Sequence, residues 1–366
     1  MFAWEERPAA EAEMDPDRLA QAWALARERG TAGQLCVLRG GRVVLDRAYG
    51  CAPDALFLTF SAGKPLTALL VHKLAERGAL ALDERVAAYW PEFGANGKDA
   101  VTVRQVLQHR SGLPVARSLL RDAWAITDWE RSVRAVEQAA PAYPPGEVAA
   151  YHIISYGYIL GELLRRVSGV PVRELLRSEF LEPLGLRDTH LGLSRELARR
   201  SVPLISTPGA ADRLRRMYFN RRAVRRAVVP ASGLSTTARD LARFYAMLLR
   251  GGELDGVRVL APASVEEARR PSTAAEGDLD RFLRMRVRWS HGFQLGPPGP
   301  DPQAGRPMGQ LGSPHAFGHN GSGTCLGWAD PTRDLVFVHF TNLVAPQREG
   351  SRYESRISDA VIAACG

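Results

Sequence analysis

The sequence predicts an α+β protein: an antiparallel sheet flanked by N- and C-terminal helices, with a mainly helical subdomain inserted in the middle. Three patterns predict it. Short apolar runs at 34–38 and 43–49 flank Arg39-Gly40-Gly41-Arg42, the signature of an antiparallel hairpin near the start. Near the end, runs at 292–295, 324–329 and 335–341 read as further strands, so the sheet draws on both ends of the chain. Between them, helical spacing and Pro/Gly turns dominate from about Leu82 to Val229. The expected division is a sheet domain of 1–82 and 230–366 around a helical insertion of 83–229.

Each element has its own justification. The segment 15–29 places Leu19, Ala22, Trp23 and Ala26 on one helical face and stops at Gly30. From 65 to 77, Leu66, Leu69, Leu70 and Leu74 recur at helical spacing, so a buried helix opens just after Ser61. Helical patterns at 101–108, 124–139, 156–167 and 172–180 build the insertion. Further helices are expected at 235–249 and, closing the chain, at 351–364.

Composition bounds the function. The 366 residues are 45% hydrophobic, ordinary for a globular protein with a full core. Residues 1–15 are acidic without an apolar run, unlike a secretory signal, and no stretch reaches the length of a spanning helix. Cys36, Cys51, Cys325 and Cys365 lack metal-ligand spacing and read as reduced thiols, so a cytoplasmic location is expected. The net charge of +8 is spread widely, but the segment 195–226 is dense in arginine, with Arg213, Arg215, Arg216, Arg221, Arg222, Arg225 and Arg226. A solvated helical face or loop is the favoured reading over nucleic-acid binding, and an acidic partner such as a carrier protein stays open.

The chemistry begins with a lysine. The chain carries only three, Lys64, Lys73 and Lys98, and one stands three residues after Ser61 in Phe60-Ser61-Ala62-Gly63-Lys64. At a helical start the two side chains share a face, so a neutral amine can take the hydroxyl proton. Arginine stays charged and could not. Helix capping by the serine is the bland alternative.

These residues fall in a set of motifs that resembles the serine β-lactamase and penicillin-binding-protein superfamily, in its class C-like branch of esterases (family VIII carboxylesterases), D-peptidases and acyltransferases. Ser61-Ala62-Gly63-Lys64 resembles the S-x-x-K nucleophile motif. Leu107-Gln108-His109-Arg110-Ser111-Gly112-Leu113 resembles the L-x-H-x-S-G-L turn, and Pro144-Pro145-Gly146-Glu147 before Tyr151 resembles the segment supplying the catalytic tyrosine. Ser232-Gly233-Leu234-Ser235 resembles the helix start after the insertion, and Gly318-His319-Asn320-Gly321 resembles the third-motif strand. Two positions depart from the pattern: Ile153 replaces the asparagine of Y-x-N, and His319-Asn320-Gly321 replaces K-T-G. A cation that pairs with carboxylates thereby becomes a mostly neutral imidazole.

The resemblance implies a β-lactamase-like fold without cofactor or metal. His315 and His319 lack the helix that their spacing would need to hold zinc, because Pro314 and Gly318 intervene. It implies Ser61 as nucleophile, with Lys64 as its base, made neutral by burial and nearby donors. Tyr151 is implied as base or acid with its pKa lowered by Lys64, and the backbone N–H groups of Ser61 and Ser322 as oxyanion hole. His319, Asn320, Gly321, His152 and Trp328 are expected around the substrate, with Gly321 and Gly323 allowing its close approach. The expected activity is a serine esterase or acyltransferase on small esters or thioesters, with neither nucleic acid nor membrane as partner. A β-lactamase or D-peptidase, and a non-catalytic binding module on the same fold, are the alternatives.

Overall fold

A computed structural model of the chain describes residues 3–299 and 308–366. Seven strands form the main sheet: β1 (Ala3–Glu6), β2 (Gly33–Arg39), β3 (Arg42–Tyr49), β4 (Gln294–Leu295), β5 (Phe317–Gly321), β6 (Cys325–Asp330) and β7 (Leu335–Thr341). Their order is β1-β3-β2-β7-β6-β5-β4. The β2–β3 hairpin and the C-terminal strands meet where β7 pairs antiparallel with β2, Val338 opposite Cys36. All neighbours are antiparallel except β1, which runs parallel to β3 along one edge.

Strand alternation gives the sheet two buried faces. Leu35, Val37, Leu326, Trp328, Leu335 and Phe337 pack under the helices Pro16–Ala26 and Gln347–Ala363. Cys36, Leu38, Phe317, Val336, Val338 and Phe340 face the larger core, which includes the helices Lys64–Glu76 and Ala238–Leu249. That second face carries the site. The helices Leu119–Ala125, Trp129–Gln138, Ser155–Ser168 and Ala210–Phe219 lie within 83–229. Two short strands there, His190–Leu191 and Ile205–Ser206, pair with Leu234–Thr236 and Leu343–Val344.

Candidate active site

Ser61 lies in a 3₁₀ turn, Phe60–Gly63, that runs directly into the helix Lys64–Glu76. In a 3₁₀ turn positions i and i+3 eclipse, which brings Lys64 Nζ to 3.1 Å from Ser61 Oγ. Phe60 adopts a left-handed φ of 46° just before the serine, a conformation that side chains other than glycine rarely take. Its ring is held by Leu58, Leu204 and Val344 and by an edge contact with Phe219 at 4.8 Å. Packing therefore offsets the strain of a backbone turned to present Ser61.

Lys64 is 1% exposed, and burial drives its pKa well below the ordinary lysine value. The surrounding groups are acceptors rather than the expected donors: the carbonyls of Ile153 at 2.8 Å and Ala231 at 3.1 Å. A neutral amine has two N–H bonds and one lone pair. The two carbonyls take the N–H bonds, which leaves the lone pair for the Ser61 hydroxyl. The segment bearing Ala231 is pinned alongside by Thr67 Oγ1, which donates to the Pro230 carbonyl at 3.0 Å, and by the Thr59 amide, which donates to the Leu234 carbonyl at 2.9 Å.

Tyr151 is buried, its ring 4.9 Å from Lys64 Nζ, and its hydroxyl is hydrogen-bonded to Ser61. The expectation of a lowered phenol pKa is corrected. Burial raises it far above its ordinary value, the Asp280 carboxylate adds to the rise, and only the Ser61 hydrogen bond opposes it. Tyr151 thus stays protonated and can act as a donor or acid. Its ring stacks on Trp289 at 5.4 Å and 5° and packs against His109 at 4.8 Å. Asp280, fully buried, accepts from the Tyr151, Phe282 and Leu283 amides through Oδ1 and from Trp289 Nε1 through Oδ2. Asp280 and Trp289 were not foreseen from the sequence. They lie on and after a short polar hairpin, Asp278–Asp280 with Met285–Val287, whose pattern carries no chemical signature.

His319 faces the same side of the sheet, its ring 6.0 Å from those of Tyr151 and Trp289. Nδ1 donates to the Asn320 carbonyl at 2.7 Å, so in the neutral ring Nε2 is an acceptor, and it makes no hydrogen bond among the described residues. Burial pushes the His319 pKa down to about 3, so the ring is uncharged at neutral pH.

Four expectations need correction. Trp328 lies on the far face of the sheet, stacked on Phe337 at 5.3 Å with Nε1 donating to Ser358 Oγ at 3.2 Å, so it is core and not a wall of the cleft. His152 is fully buried behind Tyr151. Its Nδ1 donates to the Ala150 carbonyl at 2.7 Å and its Nε2 accepts from Ser111 Oγ at 2.5 Å. It shapes the tyrosine segment, helped by His109 Nδ1, which accepts from the His152 amide at 3.1 Å. Asn320 alternates with His319 and pairs across the ladder with Leu326, which belongs to the far-face core. Gly321 and Gly323 make room for backbone rather than substrate: a Cβ on Gly321 would collide with the Thr59 carbonyl oxygen, and one on Gly323 would stand 2.8 Å from Gly350 Cα. The Gly321 contact closes β5 over the nucleophile turn. Ser322 follows it, left-handed at φ 52°.

A serine, a buried neutral amine and a protonated phenol converge beneath a sheet edge, an arrangement able to activate a hydroxyl nucleophile and protonate a departing oxygen. The family model described as Beta-lactamase matches residues 17–361, and the chain belongs to that family. It is 32% identical over 353 residues to the esterase/beta-lactamase LipL of Mycobacterium tuberculosis, covering 86% of this chain and 78% of LipL. A penicillin-binding protein homologue from Caulobacter crescentus superposes with a TM-score of 0.80 at 29% identity, covering 96% of this chain and 98% of that one. A family VIII carboxylesterase structure gives a TM-score of 0.78 at 26% identity, with 96% and 98% coverage.

Proposed function

We propose that the chain is a serine hydrolase that cleaves carboxylic esters through an acyl-enzyme on Ser61. Lys64 takes the Ser61 proton as the oxygen attacks the ester carbonyl. The backbone N–H groups of Ser61 and Ser322 hold the oxyanion. Tyr151 donates its proton to the leaving alkoxide and regains one through Lys64, and water then releases the acid. His319 presents an acceptor, Nε2, to the alcohol side of the substrate.

The observation that carries this reading is the amine of Lys64, shut away from water with its N–H bonds committed to two carbonyls and 3.1 Å from Ser61 Oγ. The names of LipL and of the family VIII carboxylesterase support ester substrates. An uncharged His319 disfavours a β-lactamase or D-peptidase reading, because a substrate carboxylate finds no cation there. Intact mass after incubation with a panel of short esters tests the proposal. An acyl adduct is expected on the wild type and not on Ser61→Ala; adducts of equal yield on both proteins refute Ser61 as nucleophile.

A further inference from the structure

The helices Leu119–Ala125 and Ala210–Phe219 carry five large apolar side chains in solvent: Leu119 at 48% exposure, Leu120 at 76%, Trp124 at 75%, Leu214 at 67% and Met217 at 60%. The two helices are joined, since Tyr218 Oη donates to the Ala123 carbonyl. Leu120 and Trp124 are spaced i, i+4, and Leu214 and Met217 i, i+3, so each pair forms a stripe. Apolar side chains grouped in this way mark an interaction surface rather than scattered exposure.

The exposed charge on the two helices themselves has one sign. Arg121, Arg213, Arg221 and Arg222 are exposed and Arg216 is half-buried, and none of them has a carboxylate partner among the described residues. The only acids on the two helices, Asp122 and Asp212, are buried and committed to Arg117 and Arg215. The arginine-rich segment noted in the sequence is therefore not uniform. Arg225 is buried on the Val202 carbonyl, Arg215 pairs with Asp212 and Arg200 with Asp54 and Asp188, while Arg213 and Arg216 share the helix of Leu214 and Met217.

We propose that this surface attaches the protein peripherally to an anionic lipid bilayer. Arginines beside exposed Trp, Leu and Met suit a headgroup layer that is negative outside and apolar beneath. A nucleic-acid backbone or an acidic protein surface would use the arginines and leave the leucines, the methionine and the tryptophan in water. Among the described residues no helix is long and apolar enough to cross a membrane, so the attachment lies at the surface. It departs from the sequence expectation of no membrane partner, which considered spanning segments alone. The surface also adjoins the catalytic turn, because Phe219 on the second helix packs against Phe60, the residue before Ser61. Attachment here brings the nucleophile close to the bilayer, which makes a lipid-borne ester the substrate class; that step rests on the proposed hydrolase activity, whereas attachment does not.

Co-sedimentation of the full chain with vesicles of phosphatidylglycerol and phosphatidylcholine, and of phosphatidylcholine alone, tests it. The wild type and Ser61→Ala should bind the anionic vesicles alike, and high salt should weaken binding. Trp124→Ser combined with Leu214→Ser, and separately Arg213→Gln combined with Arg222→Gln, should each lower the bound fraction about tenfold while hydrolysis of a short water-soluble ester is unchanged. Attachment is overturned if the wild type stays in solution, if the variants bind as it does, if the same substitutions instead dissolve a dimer seen by light scattering, or if DNA is retained at low salt and vesicles are not. If Ser61→Ala binds vesicles normally yet the wild type cleaves no ester, the hydrolase reading alone fails.

Discussion

Replacing Asp280 by asparagine tests whether the tyrosine is positioned by a buried carboxylate. The isosteric, uncharged amide would keep one acceptor for the Tyr151, Phe282 and Leu283 amides, but it would turn an NH₂ toward Trp289 Nε1, which is 3.1 Å from the carboxylate in the wild type. A hydrogen bond to a charged acceptor is worth about 1.5–3 kcal/mol, and stranding a buried donor costs about 1–3 kcal/mol more. Asp280→Asn should therefore destabilise the fold by about 3–5 kcal/mol in urea titrations. It should also lower ester turnover about tenfold or more through misplacement of Tyr151. Trp289→Phe keeps the ring stacked on Tyr151 and deletes the opposing N–H. The double variant should accordingly be more stable than the sum of the single losses by about 1.5–3 kcal/mol. Additivity within about 0.5 kcal/mol would show that the Asp280–Trp289 contact does not organise this wall.

Two further outcomes are expected. Lys64→Met should abolish acylation yet raise stability at neutral pH. Burial lowers the folded-state pKa of Lys64 below its unfolded value of about 10.4, so in that window the unfolded chain binds one more proton. Wild-type stability then rises with pH, by at most about 1.36 kcal/mol per pH unit, a gain that the variant lacks. Denaturation of both proteins between pH 7 and 9.5 should show the stability gap narrowing upward, and parallel curves would mean a charged Lys64. Trp328→Phe, on the face away from the site, should cost about 1–3 kcal/mol of stability and leave kcat and KM within about twofold; a changed KM would restore it to the cleft.

What was legible in the sequence was local. The hairpin at Gly40-Gly41 and the strand Leu335–Thr341 stand where the pattern places them, because turn chemistry and a continuous apolar run need no distant partner. Ser61 and Lys64 are three residues apart, and a single turn joins them. The expected helix at 124–139 is instead two, Leu119–Ala125 and Trp129–Gln138, since Asp128 caps the second by accepting from the Arg131 amide. The helix Ala210–Phe219 was legible only as a solvated helical face or loop without bounds, because arginines interrupt its apolar positions. Around Tyr151 the reading failed for a different reason. Asp280, which raises its pKa and holds its amide, is 129 positions away in sequence, and nothing near either residue signals the pairing.

The nucleophile turn shows how distant segments create what a local motif cannot. The two amides proposed for the oxyanion, those of Ser61 and Ser322, belong to or follow residues held left-handed, Phe60 at φ 46° and Ser322 at φ 52°. Each such residue costs about 1–3 kcal/mol and persists only where its surroundings over-determine it. Phe60 is held by Leu204 and Phe219, far along the chain from it, and by Val344 beyond β7. The turn at Ser322 is held from both sides: Gly321 lies against the Thr59 carbonyl, the Cys325 thiol donates to that carbonyl at 2.6 Å, and Gly323 abuts Gly350. The same Thr59 backbone thus braces both strained positions. Any change that lifts β5 from Thr59 relaxes both amides together, so the proposed oxyanion site forms as one unit with the closure of β5 over the nucleophile turn.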